Sequence, residues 1–137
     1  MIGILIIAHG DLGSSFVQCA SHIMGKKPVQ LMHLRISAGD DPDAILAGAL
    51  KLVGQLDSGS GVLVLSDICG ATPCNIGSRL VRHGRVECLA GVNLPMLVRA
   101  LTYRNEPLAI ASEKALIGGK EGVLRILPEG GNATSTS

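Results

Sequence analysis

Two kinds of hydrophobic run alternate along the chain. The first kind is short and unbroken. Ile2 to Ala8 carries no polar residue and stops at His9-Gly10, and Gly61 to Leu65 stops at Ser66-Asp67. Runs without a solvent face belong to strands covered on both sides, as in the parallel sheets of α/β domains. Val29–Ile36 and Val86–Ala90 complete a set of four. The second kind has helical spacing. Phe16, Ala20, Ile23 and Met24 form an inward face on a helix reaching about Gly25. Ile45, Ala49, Leu52, Val53 and Leu56 do the same on a helix opened by Asp41 as N-cap and Pro42 in the first turn. Pro73 opens a third helix to about His83, closed by Gly84. A fourth runs from Pro95 to near Arg104, and a fifth from Pro107 to Gly118-Gly119. Gly122 to Leu127 reads as a last strand, and Pro128 to Ser137 as a disordered polar tail. The order β-α-β-α-β-α-β-α-α-β predicts one α/β domain over residues 1–127, with a parallel, doubly wound sheet, helices on both faces and right-handed crossovers.

Composition restricts the core and the partners. Of the 137 residues 47% are hydrophobic but only 1% aromatic, so the core is built from Leu, Ile, Val, Ala and Met. The formal charge of +1 without a charge run leaves no electrostatic footprint for nucleic acid or for direct membrane binding. The apolar start has no basic segment before it and no cleavage signature after it, and no run is long enough to cross a bilayer. Cys19, Cys69, Cys74 and Cys88 show no C-x-x-C spacing and read as reduced thiols of a cytoplasmic protein.

In a doubly wound sheet, binding and reactive groups gather beyond the carboxyl ends of the strands. Four loops meet there, carrying His9-Gly10, Ser37-Ala38-Gly39, Asp67 through Asn75 and Gly91-Val92-Asn93. Alone, His9 could satisfy a loop carbonyl, Asp67 could be a loop carboxylate and Thr72 a helix cap. If the first and third strands are neighbours, however, His9 and Asp67 stand side by side. A carboxylate on one ring nitrogen fixes the tautomer and leaves the other as a nucleophile. Thr72-Pro73 at a helix start, with Gly70, offers backbone N–H groups and a hydroxyl to the oxygens of a phosphoryl group. There is no Walker-type glycine-lysine loop for a nucleotide. A zinc site from His9, Cys69 and Cys74 is conceivable, but the spacings match no common ligand pattern. His22 and His83 fall on helices, and His33 in a strand is expected to be packed.

Three segments in order, Ile4 to Gly10, Leu65-Ser-Asp-Ile-Cys-Gly-Ala-Thr-Pro-Cys-Asn75 and Ala90-Gly-Val-Asn-Leu-Pro-Met-Leu97, resemble the IIA domain of the mannose-family phosphoenolpyruvate-dependent phosphotransferase system. The resemblance implies a cytoplasmic phosphohistidine carrier that needs no cofactor or metal. His9 would accept a phosphoryl group from the carrier protein HPr and pass it to a separate IIB protein or serve a regulatory partner. Asp67 would orient His9, while Gly10, Gly70, Ala71 and Thr72 would hold the phosphoryl group. Any membrane association would be indirect, through transporter components. The resemblance also implies a homodimer exchanging a C-terminal strand, for which Gly122–Leu127 is the candidate. The chain departs from the family pattern where Cys69 replaces an aromatic residue, Ala71 a glycine and Cys74 a phenylalanine, which bears on loop shape and docking. Two rival families share features of this layout. The phosphocarrier subunit of dihydroxyacetone kinase has the fold and an early histidine, and small cobalt chelatases end their first strand in Ala-His-Gly.

Overall fold

The computed structural model describes residues 1–68 and 72–130. It contains β1 (Gly3–His9), α1 (Leu12–Met24), β2 (Leu31–Ile36), α2 (Pro42–Leu56), β3 (Val62–Ser66), α3 (Thr72–Leu80), β4 (Val86–Ala90), α4 (Leu94–Thr102) and α5 (Leu108–Glu121). The sheet order is β2-β1-β3-β4, and every pairing is parallel. The α/β class with helices on both faces is as the alternation predicts.

Alternation along the central strands divides the core in two. Ile4, Ile6, Ala8, Leu63 and Leu65 face the layer of α1, α4 and α5, where Leu97, Ala100 and Ala115 are buried. Leu5, Ile7, Val62 and Val64 face α2 and α3, against Leu56, Ile76 and Leu80. Each large aliphatic side chain so buried contributes roughly 1.5–3 kcal/mol. Small residues set the layer spacing. A Cβ on Gly3 would lie 2.6 Å from the Leu56 carbonyl oxygen, so α2 closes directly onto β1 only because that position is glycine.

The elements differ from expectation at their ends. α3 stops at Leu80 rather than near His83, because the chain folds back and Arg82 bridges Val86. β2 begins at Leu31 rather than Val29, which is 62% exposed. Ile23 and Met24 point outward, because α1 overruns the strands it covers; only Gly13 and Ala20 of this helix are fully buried. His33 is exposed rather than packed, since β2 is an edge strand. α5 continues through Gly118-Gly119, where the two glycines let α4 approach: a Cβ on Gly118 would meet Arg99 Cβ at 2.8 Å. Finally, residues 123–128 form no strand within the chain. Among the described residues no strand pairs with them, and Val123 and Ile126 are 72% and 87% exposed. The fifth strand is therefore not part of this sheet. Most of the predicted tail lies outside the described residues.

Candidate functional site

β1 and β3 are hydrogen-bonded neighbours, with Ile7 opposite Ser66. This register delivers His9 and Asp67 to the same edge from positions 58 residues apart. His9 is the last residue of β1. Gly10 then turns the chain with φ +53°, and its N–H donates to the Ile36 carbonyl at 3.0 Å. What Gly10 supplies is the left-handed turn, its own donor being engaged by β2.

Asp67 binds His9 twice. Oδ2 accepts the His9 backbone N–H at 3.1 Å and lies 2.8 Å from Nδ1, while Oδ1 accepts the Ile68 N–H at 2.8 Å. Burial raises the Asp67 pKa. The hydrogen bonds from the His9 ring, the His9 N–H and the Ile68 N–H, and the charge of His9, outweigh it and hold the carboxyl below its ordinary value. A carboxylate facing Nδ1 assigns the ring proton to that nitrogen and leaves Nε2 with its lone pair. The His9 side chain is 53% exposed and that of Asp67 11%, so the orienting group is sheltered and the ring stands at the surface. Among the described residues nothing engages Nε2.

A cavity of about 230 Å³ opens beside His9, lined by Ile36, Ser37, Gly39, Asp40 and Thr72 among others. Its loop is held by Asp40 Oδ2, which accepts the Ser37 N–H at 2.7 Å, and by Gly39 at φ +86°. Thr72 is the first residue of α3, so a positive helix end faces the cavity. The structure thus brings His9, Gly10, Asp67 and Thr72 to one edge. Cys69, Gly70 and Ala71, and the side chain of Cys74, lie outside the described residues. A broader cavity of about 860 Å³ lies at the amino end of β4, near Val81, Val86 and Leu108. Among the described residues it holds no hydrogen-bonded histidine–carboxylate pair, so chemistry favours the smaller one.

Two features escaped sequence reasoning. Arg35, next to last in β2, pairs with Asp11 at 3.0 Å and donates from Nε to Ser37 Oγ at 3.2 Å, forming one rim of the edge. Nothing in a strand-end arginine announces this. Asn93 falls in one of the four edge loops by sequence, yet it acts between helices. Its Oδ1 accepts the Met96 N–H at 2.9 Å, capping α4, and its Nδ2 donates to the Gly119 carbonyl at 3.0 Å, tying α4 to the end of α5. A polar residue before Leu-Pro was the available signal for the cap. Among the described residues no group of three His, Cys, Asp or Glu side chains could hold a metal, and no helix is long and apolar enough to cross a membrane.

Residues 3–116 match the family model EIIA-man, described as the PTS system fructose IIA component. The chain belongs to the EIIA-man family. It is 30% identical over 125 residues to the PTS system mannose-specific EIIAB component of Escherichia coli K12, covering 89% of this chain and 38% of that protein. It thus spans about two fifths of that relative's length. It is 29% identical over 111 residues to the PTS system fructose-specific EIIA component of Bacillus subtilis, covering 80% and 75% of the two chains. The crystal structure of the phosphotransferase system component EIIA from Streptococcus agalactiae superposes with a TM-score of 0.81 at 26% identity, covering 91% and 97%. The family is the one that the three motifs resemble, and the fold is that of its solved EIIA relatives.

Proposed function

We propose that this EIIA-man chain is a phosphohistidine carrier, with Nε2 of His9 as the acceptor. The carrying observation is the 2.8 Å contact between His9 Nδ1 and Asp67 Oδ2. In the forward step the Nε2 lone pair attacks the phosphorus of a phosphohistidine on HPr. The bond from phosphorus to the donor nitrogen breaks as the new P–N bond forms, and the donor imidazole leaves with the bonding pair. The proton on His9 Nδ1 stays in place, so the phosphorylated ring is cationic and the Asp67 carboxylate offsets its charge. The hydroxyl of Thr72 and the N-terminus of α3 hold phosphoryl oxygens, with Gly70 and Ala71 contributing from the connection before them. The reverse geometry delivers the group to a separate IIB protein, or leaves it in place to be read by a regulatory partner. Residues 1–127 form the carrier domain, 128–137 a polar tail, and the protein works in the cytoplasm.

The exposed segment 122–127 supports a homodimer in which this strand pairs with a second copy. Val123, Leu124, Ile126 and Leu127 are all among the exposed large hydrophobics, an arrangement that covering by another subunit relieves.

The test uses Enzyme I, HPr and radiolabelled phosphoenolpyruvate. Wild type takes up acid-labile label and His9→Ala takes up none. Full labelling of His9→Ala overturns the assignment.

A further inference from the structure

Arg104, just beyond α4 at the amino edge of the sheet, is a buried cation without a counter-ion among the described residues. It is 7% exposed. Its Nη1 donates to the Val29 carbonyl at 2.6 Å, and its Nη2 to the carbonyls of Ile2 and Gln30, both at 3.0 Å. These are neutral acceptors. Among the described residues no carboxylate pairs with it, and its Nε has no hydrogen-bond partner. Buried charges in proteins are generally paired, so this one is unusual. Tying the starts of β1 and β2 to the end of α4 accounts for three of its donors, but not for the missing negative charge.

Arg104 lines a cavity of about 280 Å³. Lys26 and Lys27 lie at the same cavity, and among the described residues no acidic one lines it. The remaining wall is apolar. Met24 and Val29 are 40% and 62% exposed there, above the buried Leu101. Three cations with no acid set a positive potential in a partly enclosed space, where low-dielectric walls focus it. Burial also lowers the pKa of Arg104 from its ordinary value, the signature of a charge that lacks compensation. Exposed methionine and valine beside paired lysines match the two halves of an amphipathic anion.

We infer that this cavity binds a small organic anion carrying one carboxylate or phosphate and an apolar body, with the charge held by Lys26, Lys27 and Arg104 and the body lying on Met24, Val29 and Leu101. The cavity lies at the amino ends of the strands, whereas His9 stands at their carboxyl ends, so the site is separate from the phosphoryl-carrying edge. Its volume falls just below the usual range for ligand pockets, which suits a small ligand.

The experiment is a titration of the isotopically labelled full chain with sodium octanoate, followed by amide chemical shifts, and a parallel titration with inorganic phosphate. Octanoate is expected to shift the amides of residues 24–29 and 101–104 saturably, and phosphate to shift them far less. The double variant Lys26→Ala/Lys27→Ala changes exposed side chains only and is expected to weaken octanoate binding about tenfold with an unchanged fold. No saturable shift, shifts centred on His9 and Asp67, or equal binding by the lysine variant would each overturn the proposal.

Discussion

Asp67 holds the His9 ring by one oxygen and its own loop by the other. Replacing it with asparagine retains the size and loses the charge. An amide can hold a tautomer only in one orientation and does not offset a cationic ring. Asp67→Asn is therefore expected to slow phosphoryl transfer from HPr by about a hundredfold or more, in line with loss of one preorganised electrostatic contact. Stopped-flow transfer kinetics measure this, and an unchanged rate would reduce Asp67 to a loop residue. The same carboxylate sets a pH dependence. Its folded-state pKa lies below the ordinary value, so its contribution to stability is complete above the unfolded pKa, about 4. It is lost as pH falls through the lowered folded value. Asp57 behaves alike. The Gly59 N–H lowers its pKa most; burial opposes this, and the Gly61 N–H and Arg85 lower it further. Thermal melts between pH 6 and pH 3 should show wild type losing stability at the acid end. Asp67→Asn should lose less over that range.

The contact between α4 and α5 depends on glycine. Gly118→Ala gains up to about 1 kcal/mol in helix propensity. Its new Cβ, however, would lie 2.8 Å from Arg99 Cβ and 3.0 Å from Arg99 Cγ. The first of these atoms is fixed to the backbone of α4, so the helices must separate, and overpacking of this kind costs about 1–3 kcal/mol. The clash wins, and a net loss of about 1 kcal/mol is expected in denaturant unfolding; a stabilised variant would show that the helix pair is looser than described. The same glycines explain one limit of the sequence reading. Gly-Gly suggests a helix stop because its conformational freedom is visible in sequence, whereas a neighbouring helix that requires a missing side chain is not. Ile23 and Met24 failed for a similar reason. Their spacing is correct for an inward face, but spacing does not tell where the covered strands end. By contrast, the uninterrupted runs ending at His9 and Asp67 made the central strands and the site edge legible, since burial on both faces leaves no other pattern. Arg35 and the cap role of Asn93 depend on which strand and helix stand alongside, and a linear pattern does not carry that.

At the scale of the molecule, the segment after α5 is the part left unexplained by a single chain. Deleting residues 122–137 removes the exposed apolar run Val123–Leu127 while leaving the four-stranded sheet whole. Sedimentation at micromolar concentrations is expected to give a dimer for the full chain and a monomer for the truncation. A full chain that sediments as a monomer rules the exchange out.

The order β2-β1-β3-β4 places the first-synthesised strand in the middle of the sheet. While the chain emerges from the ribosome, β1 can pair early with β2, but its other flank waits for β3. Until then His9 has no Asp67, because the two are 58 residues apart. A chain that still lacks β3 therefore carries a histidine whose tautomer no carboxylate fixes. On the proposed function, acceptance of phosphoryl would thus depend on β3 having docked beside β1.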